Sequence, residues 1–276
     1  MNFENVELIF FALAFFLAAL SAAGYLFSLL VKRVMLAKIS TWILAGAFLL
    51  LTAYLIAAAI NAHGFTNLGP RALFAFYAWS AGAVYLVLQF KTKTRLLGAF
   101  IGPLVLLFVI IAAGQEAGKT ILPEGLQSWL ATGHLALSIV GEILFVLASC
   151  AGAMFIMQNS LLKSGKFTSM SRLLPSLGDL DRINHLCLLC GFPLLTTGII
   201  AGAFYAAFVW ENLWTSDPKV IWSFIAWLVY GVLLHQRLAL GWKGFRMAAL
   251  SCIVFLLLLL TYILVKLCFS SLHNFV

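Results

Sequence analysis

The chain has 276 residues, 64% of them hydrophobic and only 9% charged, with a mean hydropathy of +1.08 and a formal net charge of +8. Soluble chains average about a quarter charged residues, so this composition excludes a water-soluble domain and indicates an all-α polytopic membrane protein. Its excess of basic residues belongs to loop topology and headgroup contact, not to nucleic-acid binding.

The first residues, M-N-F-E-N-V-E, are acidic rather than basic and run into a long apolar stretch. This predicts a first transmembrane helix rather than a cleaved signal peptide. About 20 apolar residues cross a bilayer, and eight transmembrane helices are expected, over 7–31, 40–61, 73–90, 96–114, 131–158, 185–210, 222–240 and 247–267. Pro103, Pro193, Gly198 and Gly202 lie inside them, as membrane helices permit, and Gly82 and Ala201-Gly202-Ala203 offer small surfaces for close helix contact. With no fixed-period repeat and no long polar insertion, residues 1–276 are expected to form a single transmembrane domain.

Orientation follows from the basic residues. Thirteen of the 17 fall in alternate connections: Lys32, Arg33 and Lys38; Lys91, Lys93 and Arg95; Lys163, Lys166, Arg172 and Arg182; Arg237, Lys243 and Arg246. Only Arg71, Lys119, Lys219 and Lys266 lie on the other side. The positive-inside rule makes the first set cytoplasmic. Both termini and the connections 62–72, 115–130 and 211–221 are then extracytoplasmic.

Aromatic residues concentrate in one stretch, W-E-N-L-W-T-S-D-P-K-V-I-W-S-F-I-A-W-L-V-Y-G-V-L-L-H, from Trp210 to His235. A polar segment bearing Trp210, Trp214, Asp217 and Pro218 leads into an apolar run with Trp222, Trp227 and Tyr230. The stretch is either an interfacial aromatic belt or a shelf for a large flat ligand. The histidines bear on the choice. His63, His134 and His273 share the predicted outer side with the aromatic segment, His235 lies within the seventh span, and His185 opens the sixth at the inner side. Neutral imidazole is a good iron ligand and haem commonly takes an axial histidine.

His134, then W-E-N-L-W-T-S-D-P-K, then L-H-Q-R, then S-L-H-N resembles the CcsA (ResC) family of cytochrome c assembly proteins, within the haem-handling superfamily marked by a tryptophan-rich "WWD" segment. N-A-H-G-F-T-N-L-G-P-R-A-L-F-A-F-Y-A-W and G-F-P-L-L-T-T-G-I-I-A-G-A-F-Y-A are similar to further parts of that family, so the likeness covers most of the chain. It implies a WWD-like loop at 210–222 and haem b as cofactor. His134 and His273 would be the axial ligands to iron on the outer face, and His235 would help hold a second haem within the membrane. Trp210, Trp214, Asp217 and Trp222 would edge the porphyrin.

The chain departs from the family pattern at Ser216, where the second tryptophan of the motif would stand, at Glu211 and at Val220. The D-P-K-V-I wording and the segment G-W-K-G-F-R-M-A-A resemble the HemX and YpjD branch, of which HemX is associated with control of haem biosynthesis.

The implied function is binding and presentation of haem for cytochrome c assembly, at most as the haem-handling subunit of a haem lyase (synthase). Its partners would be apocytochrome c and a CcsB (ResB)-type protein in the bacterial plasma membrane. A HemX-type regulator and a small-molecule transporter whose aromatics form only a belt are the alternatives. Glu142, eight residues deeper than His134, is a carboxylate within a span and therefore a functional candidate; hydrogen bonding to a neighbouring helix is the other reading. Cys187 and Cys190 form a lone C-x-x-C on an apolar helix, a weak redox or metal signal. Asp179 and Asp181 suit a helix cap.

Overall fold

A computed structural model describes residues 3–31, 33–92, 97–118, 129–164, 174–210 and 217–268, with the side chains of 3–4, 66, 90–92, 208–210 and 265–268 left aside. The described residues form eight α-helices: α1 Phe3–Val31, α2 Val34–Asn61, α3 Pro70–Thr92, α4 Gly98–Ala113, α5 Trp129–Lys163, α6 Leu177–Trp210, α7 Pro218–Leu238 and α8 Phe245–Cys268. A short 3₁₀ turn, Phe65–Asn67, joins α2 to α3. Seven of the helices are long and apolar enough to cross a membrane. The exception is α4, in the place of the expected 96–114 span. Its 16 residues reach about 24 Å at 1.5 Å per residue, short of a hydrocarbon core of about 30 Å. The fold is that of a multi-pass helical membrane protein.

The helices gather into two compact units, one built on α1–α4 and the other on α5–α8. In the first, small residues let α1 and α2 approach closely: Ala14, Ala18, Ala22, Ala37 and Ala47 are all buried. Polar side chains then join the helices. The Tyr25 hydroxyl donates to Thr41 Oγ1 at 2.8 Å and pairs with the Tyr85 hydroxyl at 2.9 Å. Trp79 donates its indole N–H to Thr52, and its ring stacks between Phe48 and Phe76. At one end of this unit Asn61 donates to Glu7, while Arg71 lies over the Phe11 ring and donates to the Gln115 carbonyl through Nε and Nη2.

In the second unit α5 and α6 run antiparallel along a seam of small residues. A Cβ on Gly141 would lie 3.0 Å from the Leu195 nitrogen, and one on Gly191 would press on Phe145 and Leu144. With little hydrophobic force between helices in lipid, such close backbone packing is a principal source of association. Farther along the pair, Asn184 of α6 donates to the Ala148 carbonyl of α5 and to Ser251 Oγ of α8, both at 2.9 Å. Cys252 of α8 donates to the Ser149 carbonyl at 3.3 Å. These bonds tie three helices together at one level. Cys187 is buried and Cys190 exposed, and both are free thiols.

Helix starts follow the local sequence. Ser176 Oγ accepts from the Asp179 amide at 3.1 Å and donates to Asp179 Oδ2 at 2.7 Å, a reciprocal cap on α6. Of the two aspartates expected at a cap, Asp179 takes part and Asp181 instead pairs with Arg237, and the helix begins at Leu177 rather than 185. Asp217 caps α7: its Oδ1 accepts from the Lys219 amide at 2.8 Å, with Pro218 in the first helical turn. Proline fits there because its missing N–H would find no helical partner.

Candidate functional site

His134 lies in the second turn of α5, directly over the α6 seam. Its Nδ1 is 2.8 Å from the Gly198 carbonyl oxygen. A carbonyl can only accept, so Nδ1 carries the proton, and in the neutral form of the ring the lone pair is then on Nε2. That is the tautomer suited to ligating iron, with the second nitrogen fixed by a backbone carbonyl. Room for the ring comes from α6: a Cβ on Gly202 would stand 2.6 Å from Nδ1 and 2.7 Å from Cε1. The small surface expected around Ala201-Gly202-Ala203 is thus a bed for the imidazole as well as a helix contact. Gly198 and Gly202 belong to this site, and only their four-residue spacing hinted at it.

The other candidate residues separate. Asp217 is 3% exposed and holds the start of α7 as its cap, which sets where the segment before it ends. Trp222, on the second turn of α7, donates its indole N–H to Thr261 Oγ1 at 3.1 Å and packs tilted on Tyr262 at 5.0 Å. Its ring joins α7 to α8. Deeper in the unit, Tyr230 stacks on Phe145 with centroids 3.6 Å apart, and Glu142 is within electrostatic reach of the Tyr230 and Tyr262 hydroxyls. Trp210 ends α6, but its side chain, with Trp214, Glu211, Ser216 and His273, lies outside the described residues.

His235 occupies the last turn of α7, 17 residues beyond Pro218, so it stands nearer the helix end than a mid-membrane position. It is exposed, while Arg237, two residues on, is buried. Two helical residues are about 200° apart around the axis, so the two side chains face opposite ways. Arg237 faces α6: its Nη1 and Nη2 reach the two carboxylate oxygens of Asp181 at 2.7 Å each. His185, one turn after Asp181, is within electrostatic reach of Arg237, Asp181 and Lys243 and so belongs to that cluster. His235 points away from it. It lines a shallow groove of ≈ 280 Å³ with Trp227, Leu228, Gly231 and Val232. Trp227 is held rigidly at the groove edge, stacked between Phe192 and Phe224 and donating to Thr196 Oγ1. Among the described residues no three His, Cys, Asp or Glu side chains converge to hold a metal ion.

Fold and site together define a multi-pass helical membrane protein with a tautomer-fixed histidine at a glycine seam. Residues 70–273 match the family model of the cytochrome c assembly protein, and the chain belongs to that family. It is 27% identical to the cytochrome c biogenesis protein CcsA of Porphyra purpurea, over 72% of this chain and 75% of that protein. It is also 27% identical to CcsA of Trieres chinensis, over 86% and 80%. The CcsA of Synechocystis aligns over 100% of the chain and 99% of its own length at 25% identity. Among solved structures the fold matches the cytochrome c haem lyase CcmF with a TM-score of 0.69 at 16% identity. That match covers 93% of this chain and 46% of the lyase, so the chain spans under half of that protein.

Proposed function

We propose that the chain binds haem b as cargo and presents it for cytochrome c maturation, with His134 and His273 as the axial ligands to iron. Family membership gives the chain its role in cytochrome c maturation. The observation that supports the finer reading is the His134 Nδ1–Gly198 hydrogen bond, which leaves Nε2 as the ligating nitrogen. When bound, the haem supplies the iron and the vinyl groups that become joined to an apocytochrome. The chain's own residues bind, orient and shield it. Gly198 and Gly202 position the His134 ring, and Asp217 caps α7. Apocytochrome c is the proposed recipient and a CcsB (ResB)-type protein the proposed partner, in the bacterial plasma membrane.

His235 is proposed to ligate a second, intramembrane haem. Its side chain faces away from His185 and its groove holds no second histidine among the lining residues, so the opposing ligand is proposed to come from a partner chain. Ser216, in place of the motif's second tryptophan, favours one further reading, a HemX-type regulator that binds haem without delivering it.

The test is a pyridine haemochrome assay on detergent-purified protein. Wild type is expected to hold low-spin b-type haem, and the His134→Ala/His273→Ala double variant to lose most of it while keeping its helical content. Equal haem in the two would overturn the site. Haem in the wild type, with no holocytochrome formed on co-expression with a CcsB-type partner and an apocytochrome, would favour the regulator.

A further inference from the structure

We propose that the turn between α7 and α8, residues 238–246, is a binding site for the headgroup of an anionic phospholipid. The turn reads L-A-L-G-W-K-G-F-R and holds no acidic residue. Two glycines in the left-handed region, Gly241 at φ 65° and Gly244 at φ 64°, reverse the chain and leave Lys243 between them exposed and Trp242 half-buried. A side chain at either position would be strained.

The charges around the turn do not cancel. Asp181 is the acidic group that meets it, and that carboxylate is fully engaged: Oδ1 accepts from Arg237 Nη1 and the Gly244 amide, and Oδ2 accepts from Arg237 Nη2. Arg237 also donates to the Trp242 carbonyl. The Asp181–Arg237 pair is therefore neutral and serves as the clasp that fixes the turn to α6. Lys243 and Arg246 remain, both exposed. Arg246 lies over the Trp242 ring, 5.8 Å from its centroid, a cation–π approach that keeps the guanidinium at the turn. A planar fork held this way suits a phosphodiester.

Apolar side chains decide between a lipid and a free phosphate. Leu238, Leu240 and Phe245 are 58%, 59% and 52% exposed, interleaved with the two cations. Such residues are stable only against acyl chains, and cations at the same turn then sit at phosphate level. Both ends of the turn are ends of membrane-crossing helices, which sets it at that boundary. A soluble anion would meet only Lys243 and Arg246, whereas a phospholipid also brings acyl chains to the three apolar groups. Charged headgroups gain about 1 kcal/mol per nearby cation, or roughly fivefold in affinity each.

The full chain is reconstituted into vesicles of equal phosphatidylglycerol and phosphatidylcholine, with p-benzoylphenylalanine replacing Leu240 as a photocrosslinker. Adducts are identified by mass. Phosphatidylglycerol adducts are expected in several-fold excess, falling toward parity in Lys243→Gln/Arg246→Gln and unchanged in Arg33→Gln/Lys38→Gln, which removes exposed cations just before α2 and in its second turn. Equal yields of the two lipids in the wild-type background would overturn the proposal, as would an excess that survives the Lys243/Arg246 substitutions. The wild-type arm stands alone should the double variant fail to fold. Neither arm depends on haem.

Discussion

The His134 imidazole and the Gly198 carbonyl, 64 residues apart in the chain, are joined by a 2.8 Å hydrogen bond across the α5–α6 seam. One bond does two things here. It ties the helices together, and it selects which imidazole nitrogen is a donor and which a ligand. Gly198 is constrained along with it, because a Cβ there would stand 3.0 Å from the Ser138 amide nitrogen. The seam admits a histidine ring because α6 has no side chain at Gly198 or Gly202.

Gly202→Ala tests this directly. The added methyl overlaps the His134 ring, and overpacking of this kind costs about 1–3 kcal/mol. Thermal unfolding in detergent should show the loss, accompanied by lower haem retention. In the His134→Ala background the same substitution should cost little, since the ring it displaces is gone. Equal destabilisation in both backgrounds would mean that Gly202 meets something other than His134.

Asp181 and Arg237 form the second long-range tie. Their side chains are 20% and 6% exposed, and removing one partner strands the other charge. For a fully buried pair this costs about 3–5 kcal/mol, and partial exposure of Asp181 reduces it. Asp181→Ala should lower Tm clearly and free the 239–244 turn for proteolysis. Asp181→Leu/Arg237→Met should be less destabilised than the two single variants added together. Strict additivity, measured by thermal melts, would argue against the clasp.

Asp217 separates a cap from a ligand contact. Asn caps helices as well as Asp, while Ala loses about 1 kcal/mol. Asp217→Asn should therefore keep wild-type Tm and haem content, and Asp217→Ala should lose stability. A haem loss in Asp217→Asn without a change in Tm would assign the carboxylate charge a direct role at the ligand.

Topology can be checked by cysteine labelling from each side of the membrane. Residues 91–95, 159–184 and 241–246 are expected on the cytoplasmic side, and 115–130 and 211–221 on the opposite one. External labelling within 163–172 would reverse the orientation and remove His134 from the proposed outer face.

The membrane class and the approximate places of seven membrane-crossing helices were legible from residue type alone. A bilayer demands long apolar runs with internally bonded backbone, and a run such as 247–267 has no other use. Two helix starts were not: the apolar runs put them at 185 and 222, whereas the Ser176–Asp179 and Asp217 caps begin the helices at Leu177 and Pro218. The family resemblance was carried by spaced histidines and aromatics, and it extends over residues 70–273. Which way each helix faces was not legible. In water, apolar residues point inward and betray the buried face; in lipid the outside is as apolar as the inside. Thus α8 exposes Leu256, Leu257 and Leu260 while burying Ser251, the reverse of a soluble helix. Tertiary structure alone decided that His235 faces outward while Arg237 turns in to Asp181, and that His134 rests on Gly198 and Gly202. Those choices depend on polar groups finding partners from distant helices once no water is available to satisfy them.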